Sequence, residues 1–489
     1  MIDFAKHIML MGTASHVGKS ILTAALCRIF FRAGISVCPF KAQNMALNSF
    51  VTADGLEMGR AQVAQAEAAM LEPVVDMNPV LLKPTGNSTS QVIINGRAVG
   101  VMSAAQYHNG YSLKAFDAVK AALNRLNQQF ELLVIEGAGS PAEINLKDND
   151  IVNMRVAKYL NAPVVLIADI DRGGSLAALV GTLELLDPDE RDLVKGLVIN
   201  KFRGDVSLFT PAVDFLERKT GKPVLGVLPF IDRLGIDDED SVSLDDKSST
   251  VEGELNIAVI RLPKISNFTD FDSLAGECDV RLLYVTTVDE IDDADVIIMP
   301  GSKNSSSDLM WLRAEGFEDA IKRRAAEGAA IVGICGGYQM LGRKIFDPHH
   351  TESTVEEIDG LGLLPLTTTF AVEKLTRQVT LERLKFRFLD DEIDGRELEG
   401  YEIHAGETEP SSASLMMVDD NVFGTYVHGI FDNDDFRRQM LNAVRRRKGL
   451  APLENVRNRR AEKQAAYDRL ARVVRDNLNM ALLDKIING

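Results

Sequence analysis

The chain has 489 residues, a formal net charge of −17, 46% hydrophobic and 26% charged residues. That composition predicts a globular chain of two or three domains, and its acidity argues against a nucleic-acid backbone or an anionic membrane as main partner. With no apolar run of about 18 residues and no secretory signal pattern at its start, the chain is expected to be soluble and cytoplasmic, with no membrane insertion.

Apolar runs at residues 7–11, 36–40, 132–135, 164–168, 196–199 and 224–227 alternate with helical patterns, which predicts βα units and a parallel sheet covered on both faces. Between the first two runs, Leu22, Ala25, Leu26, Ile29 and Phe30 recur at helical spacing, and Gly34 supplies a stop. Residues 237–254 are acidic, serine-rich and poor in apolar residues, the composition of a linker. Runs at 257–260, 282–285, 296–299, 330–334 and 425–428 then predict a second α/β domain. A charged helical pattern extends from about residue 434 to the end. The expected division is a nucleotide-dependent domain at 1–236, the linker at 237–254, a second domain at 255–445 and a charged helical tail at 446–489.

The segment GTASHVGKS at residues 12–20 follows the first run and opens the first helix. Gly12, Thr13 and Gly18 let the backbone curl so that N–H groups face phosphate oxygens. Lys19 would reach the outer phosphates, and Ser20 would ligate Mg²⁺. Five residues separate Gly12 from Gly18, against four in the usual P-loop. Glu136 ends an apolar run just before a glycine turn, where ligands of parallel sheets bind, and is the expected carboxylate for the metal. Asp54 is a weaker candidate ligand, and Asp169 and Asp171 stand at another run's end as metal or substrate contacts. Asn200 opens NKFR, a candidate base-contacting segment in which Arg203 replaces the acidic residue of a guanine motif.

In the second domain, Gly333, Cys335 and Gly337 have the spacing of a nucleophile elbow, in which small residues permit a tight turn from strand to helix. His428 ends the last run and supplies a base. A cysteine with a histidine suits attack on an amide, giving a thioester and ammonia. The Gly336 N–H and a second N–H near Gly301 are candidate oxyanion donors. The third member is open: Glu402 or Glu407 is a candidate to orient His428, and His404 a candidate to line the site. Of the other cysteines, Cys27 and Cys38 read as packing residues, and no CxxC pair suggests zinc or a disulfide.

GTxSxxGKS followed by IEGAGS resembles the dethiobiotin synthetase superfamily of P-loop amide-forming enzymes. KAQNMALNS (41–49), EMGRAQ (57–62), NPVLLKP (78–84) and DIDRGG (169–174) are similar to the cobyric acid synthase family, and the second half resembles its class I glutamine amidotransferase domain. The resemblance implies α/β folds of the P-loop NTPase and amidotransferase types and the use of ATP and Mg²⁺. It further implies amidation of four peripheral carboxylates of adenosylcobyrinic acid a,c-diamide with ammonia from glutamine. A sheltered route for that ammonia is expected. Lys41, Gln43, Asn44, Arg60, Lys83, Asp171 and Arg172 fall in the matching segments as phosphate or corrinoid contacts. The class usually places Glu two residues after the histidine, where this chain has Ile430. The rival readings are an a,c-diamide synthase, a cell-wall amidotransferase of the same design, and a partitioning-type P-loop ATPase. A glutaminase would have no use in the last.

Overall fold

The six apolar runs of the first half become one parallel sheet, in the order Val224–Pro229, Val194–Phe202, Val164–Asp169, Lys6–Gly12, Leu132–Glu136, Val37–Phe40. The architecture is that of a computed structural model describing residues 5–86, 88–232, 235–236 and 253–489. Gly12, Glu136, Asp169 and Asn200 all lie at or near carboxyl ends of strands, where parallel sheets bind ligands. The helix Lys19–Arg32 buries Leu22, Ala25, Leu26, Ile29 and Phe30, the apolar stripe read from the sequence. The Leu, Ile and Phe side chains each contribute about 1.5–3 kcal/mol when fully removed from water.

A second, four-stranded sheet joins Gln43–Met45, Val80–Gly86, Thr89–Ile94 and Arg97–Ser103, mostly antiparallel, and carries Gln43, Asn44 and Lys83. The sequence reading assigned no strands there.

The second half builds its own sheet in the order Val280–Val285, Leu255–Ile260, Val296–Met299, Ala330–Ile334, Val422–Thr425, Met416–Asp419. Its first four neighbouring pairs are parallel and the last antiparallel. The run expected as a strand at 425–428 is corrected. The strand ends at Thr425, and Tyr426, Val427 and His428 leave it, so that His428 bridges Tyr401 instead. Burial on every side explains why these residues look strand-like in sequence: Tyr426, Val427 and His428 are all at most 1% exposed. A long antiparallel hairpin, Thr367–Phe388 with Asp391–Glu409, is a further element that the sequence reading left unassigned.

The chain divides into two units that do not follow chain order. One comprises Met1–Ala46, Met58–Asp237 and Arg460–Gly489, the other Leu47–Glu57 and Asp238–Arg459. The final helices, Arg459–Asn477 and Met480–Asn488, complete the first unit's core through Tyr467, Leu470, Val474, Leu478 and Leu483. Asp468 clamps this tail by pairing with buried Arg28 at 2.7 Å and Arg32 at 2.6 Å. Of the expected linker, residues 237–252 lie outside the described residues.

Candidate functional sites

The first unit gathers the residues expected to hold a nucleotide. Gly18 caps the helix Lys19–Arg32 at φ 97°, a left-handed conformation that favours glycine. A Cβ at Gly18 would also collide with the Asn200 side chain, and one at Gly12 would lie 3.0 Å from Lys19 Nζ. Lys19 Nζ donates to the Ala14 carbonyl at 2.9 Å and to that of Gly139 at 3.2 Å, so it lies back across the loop. The Thr13 N–H donates to the Ile167 carbonyl at 2.9 Å. Asn200 Nδ2 donates to the Val17 carbonyl at 2.8 Å, which ties the loop to the neighbouring strand. Lys201 Nζ holds the His16 carbonyl at 2.7 Å and Asp169 at 2.8 Å.

Glu136 is fully buried beside this loop. Its Oε1 accepts from Ser20 Oγ at 2.8 Å and from Lys41 Nζ at 2.8 Å, and its Oε2 accepts from Gln65 Nε2 at 2.6 Å. Lys41, expected at the substrate, therefore neutralises the metal candidate. Gln65 escaped the sequence reading because it lies three residues beyond the matching segment. Among the described residues no cluster of three or more His, Cys, Asp or Glu could hold a metal alone. A serine hydroxyl and one carboxylate nevertheless fit a Mg²⁺ that takes its remaining ligands from phosphate and water. Asp54 lies instead in the Leu47–Glu57 segment of the other unit and accepts from Thr52 Oγ1.

Of the remaining expected contacts, Asn44 and Lys83 are buried, and Asn44 Nδ2 donates to Gln62 at 3.2 Å. Gln43 accepts from the Tyr107 hydroxyl and lines a cavity of about 590 Å³ that also includes Gly139, Ser140 and Asn153. Arg60 opens the helix Arg60–Ala68. Arg172 is exposed, and Asp171 pairs with Arg203 at 2.8 Å. Arg203 itself lies 3.4 Å from the Phe230 ring centroid, so it serves as a stacked cation where a guanine motif would have its acid.

In the second unit Cys335 sits at φ 51°, ψ −106°, between the strand Ala330–Ile334 and the helix Gly336–Leu341. A non-glycine residue held there costs about 1–3 kcal/mol and persists only where its surroundings enforce it. The enforcement is visible: the Cys335 N–H donates to the Thr425 carbonyl at 2.8 Å, and a Cβ at Gly333 would lie 2.5 Å from Leu341. One at Gly337 would collide with the Met299 carbonyl. Across the site, the strand Gly301–Ser302 abuts both groups. A Cβ at Gly336 would lie 2.8 Å from the Ser302 nitrogen, and one at Gly301 would lie 3.4 Å from His428 Cε1.

His428 Nδ1 meets Asp270 Oδ2 at 2.6 Å, while the Gly429 N–H donates to Asp270 Oδ1 at 3.0 Å. Asp270 thus takes the orienting position for which Glu402 and Glu407 were the sequence candidates. Glu402 is engaged by Arg377 and by His404 Nε2 at 3.2 Å, and His404 stacks on Tyr426 with centroids 3.7 Å apart. No sequence signal pointed to Asp270, which is 158 residues from His428 in a short 3₁₀ turn, Phe268–Phe271. Burial alone would lower the His428 pKa; the charges of Asp270 and Cys335 and hydrogen bonds to both outweigh it and raise it well above the ordinary value. The raised pKa keeps His428 an imidazolium beside Cys335, able to give up a proton to a leaving amine.

The Leu47–Glu57 segment supports that pair from behind. Asn48 Oδ1 accepts from the Phe268 N–H at 3.2 Å, and the Ser49 N–H donates to Asn267 Oδ1 at 3.0 Å. The Ser49 carbonyl accepts from the Tyr401 hydroxyl at 3.0 Å, and Tyr401 stacks on His428 with centroids 5.2 Å apart.

Comparison with known proteins finds a family model in each half of the chain. A family model described as a CobQ/CobB/MinD/ParA nucleotide binding domain matches residues 8–243. One described as a CobB/CobQ-like glutamine amidotransferase domain matches residues 256–436. A cobyric acid synthase of Pelotomaculum thermopropionicum is 55% identical over 91% of this chain and 89% of its own length. Those of Moorella thermoacetica, at 52% over 99% of this chain and 97% of theirs, and Carboxydothermus hydrogenoformans, at 50% over 99% of both, are likewise similar. With two matched domains and this identity along nearly its whole length, the chain belongs to the cobyric acid synthase family.

Proposed function

We propose that the chain is a glutamine-hydrolysing ligase that amidates the b, d, e and g carboxylates of adenosylcobyrinic acid a,c-diamide, giving adenosylcobyric acid in cobalamin biosynthesis. The observation that carries this reading is two different sets of side chains in one chain: Cys335 at its strained turn with the paired His428 and Asp270, and Lys19 at the phosphate loop with the bonded Ser20 and Glu136. A nucleotide switch would need only the second. The family-wide identity favours this acceptor over the a,c-diamide synthase and cell-wall alternatives.

In residues 255–445, Cys335 Sγ attacks the γ-amide carbon of glutamine, with Gly336 and Gly301 N–H groups as oxyanion donors. His428 gives its proton to the departing ammonia, leaving a thioester that water then hydrolyses. In residues 1–236, ATP is the co-substrate. Gly12, Thr13, Gly18 and Lys19 cradle its phosphates, and Asn200 braces the loop. Ser20 and Glu136 would hold Mg²⁺, which when bound supplies charge neutralisation at the phosphates. Mg²⁺ held by Glu136 would compete with Lys41 for that carboxylate, and a displaced Lys41 ammonium would turn to a phosphate or acceptor carboxylate. We place the acceptor side chain in the cavity beside Gly139, near Gln43. The γ-phosphoryl group moves to the acceptor carboxylate, and ammonia displaces phosphate to leave an amide. The reading implies a cytoplasmic enzyme; no helix of the described residues is long and apolar enough to cross a membrane.

Glutamine labelled with ¹⁵N at its amide, supplied with ATP and Mg²⁺, should yield a corrinoid gaining four labelled amides in successive mass steps. The Cys335→Ala variant should lose glutamine-driven synthesis and keep ammonia-driven synthesis. Loss of both would refute the division of labour, and absence of label from every product would refute the function.

A further inference from the structure

Cys335, His428 and Asp270 can cut an amide, but none of them recognises the rest of an amino acid. Two charges beside them have no part in that chemistry. Lys303 directly follows the strand Gly301–Ser302, and its N–H is fixed by the Lys264 carbonyl at 3.0 Å. The next residue, Asn304, donates from Nδ2 to the Glu352 carbonyl at 2.5 Å, which brings a second loop to the same place. Asp347 holds that loop by accepting from the N–H groups of Thr351, Glu352 and Ser353 at 2.7, 2.9 and 2.8 Å. The Glu352 carboxylate receives the Ser305 backbone N–H. Its Oε2 is sealed from solvent without a hydrogen-bond partner.

Burial drives the two groups toward neutrality, lowering the Lys303 pKa and raising that of Glu352, and each is the other's largest electrostatic support. The next charges nearby, Lys374 and Glu57, are already paired with each other at 2.7 Å. Lys303 also feels the charge of Cys335. A buried carboxylate oxygen without a donor is costly and rare in folded proteins, and a ligand donor is one way to complete its shell. An acid and a base held beside a nucleophilic sulfur match the ammonium and carboxylate of a free α-amino acid.

We infer that Glu352 and Lys303 form the subsite for the α-amino-acid head of glutamine, Glu352 Oε2 accepting from the α-ammonium and Lys303 Nζ pairing with the α-carboxylate. The inference rests on the glutaminase reading above and adds the residues that choose free glutamine over other amides.

The test uses the full chain and measures ammonia release from three amides: glutamine, glutaramate, which lacks the α-amino group, and glutaminamide, whose α-carboxylate is an amide. The unaltered protein should favour glutamine over either analogue by at least about 10²-fold in kcat/KM. Glu352→Gln should collapse the glutamine-to-glutaramate ratio toward one while leaving glutaramate turnover within about threefold. Lys303→Met should do the same to the glutamine-to-glutaminamide ratio. The charge-keeping variants Glu352→Asp and Lys303→Arg should each restore part of the lost ratio. Ratios that stay unchanged, or all three amides falling together in all four variants, would overturn the subsite. Ammonia release absent from the unaltered protein would sink the glutaminase reading itself, a distinguishable failure.

Discussion

Glu136 and Asp270 are both buried strand-end or turn carboxylates, and both accept hydrogen bonds on each oxygen, yet they are held in opposite ways. Asp270 faces one backbone N–H and one imidazole, partners that stay with it through a reaction cycle. Glu136 faces a hydroxyl, an amide and the mobile-headed ammonium of Lys41, partners that a divalent cation can replace. The first carboxylate fixes the charge and orientation of a neighbour. The second is a stored charge, neutralised until something better arrives.

Four substitutions would sharpen or break that contrast, in falling order of effect. Asp270→Asn should lower kcat for glutamine hydrolysis by about 10³–10⁴-fold, because His428 loses both its orienter and its countercharge. The same variant should change stability against pH. A raised folded pKa means that stability is fully present below about 6.5 and is lost as pH climbs toward about 10. Denaturant midpoints across that range should therefore slope downward in the unaltered protein and flatten in Asp270→Asn.

Glu136→Gln should reduce ammonia-driven, ATP-dependent amidation by about 10²–10³-fold and leave glutamine hydrolysis intact. It should also destabilise the first unit by up to about 3–5 kcal/mol, since buried Lys41 loses the carboxylate it pairs with at 2.8 Å. The double variant Lys41→Met, Glu136→Gln should recover much of that stability and none of the activity. A stability loss equal in single and double variants would contradict the stored-charge account.

Asn48→Ala removes an acceptor from the turn that bears Asp270 and should slow glutamine hydrolysis by about tenfold with little change in glutamine KM. An unchanged kcat would show that the Leu47–Glu57 segment does not brace the dyad. The smallest effect concerns the tail. Asp468→Ala should cost about 1–2 kcal/mol of stability, because buried Arg28 loses a partner, and should leave both half-reactions at their normal rates. Arg28 and Arg32 hold the Asp468 pKa down to about 2, so its contribution is present above the ordinary aspartate range and lost as pH falls from about 4 toward 2. Denaturation at pH 3 against pH 6 measures it.

Legibility in the sequence followed locality. Gly12, Gly18, Lys19 and Ser20 lie within nine residues, and Gly333, Cys335 and Gly337 within five, so each turn's requirement for small residues at fixed spacing is written in one stretch. The main strands were equally legible, because burial on both faces of a parallel sheet leaves continuous apolar runs. His428 lies beyond the end of its expected strand, since buried residues outside a strand carry the same apolar signature.

By itself, the sequence determined two α/β units, a phosphate loop, a nucleophile elbow and the family resemblance, all set by short-range sterics and periodicity. The tertiary structure alone decided that Asp270 serves His428, that Lys41 and Gln65 close around Glu136, and that residues 47–57 and 460–489 each join the unit opposite to their place in the chain. Those outcomes depend on partners brought together across tens to hundreds of residues by burial. A hydrogen-bond or ion-pair partner at such a separation leaves no spacing to read.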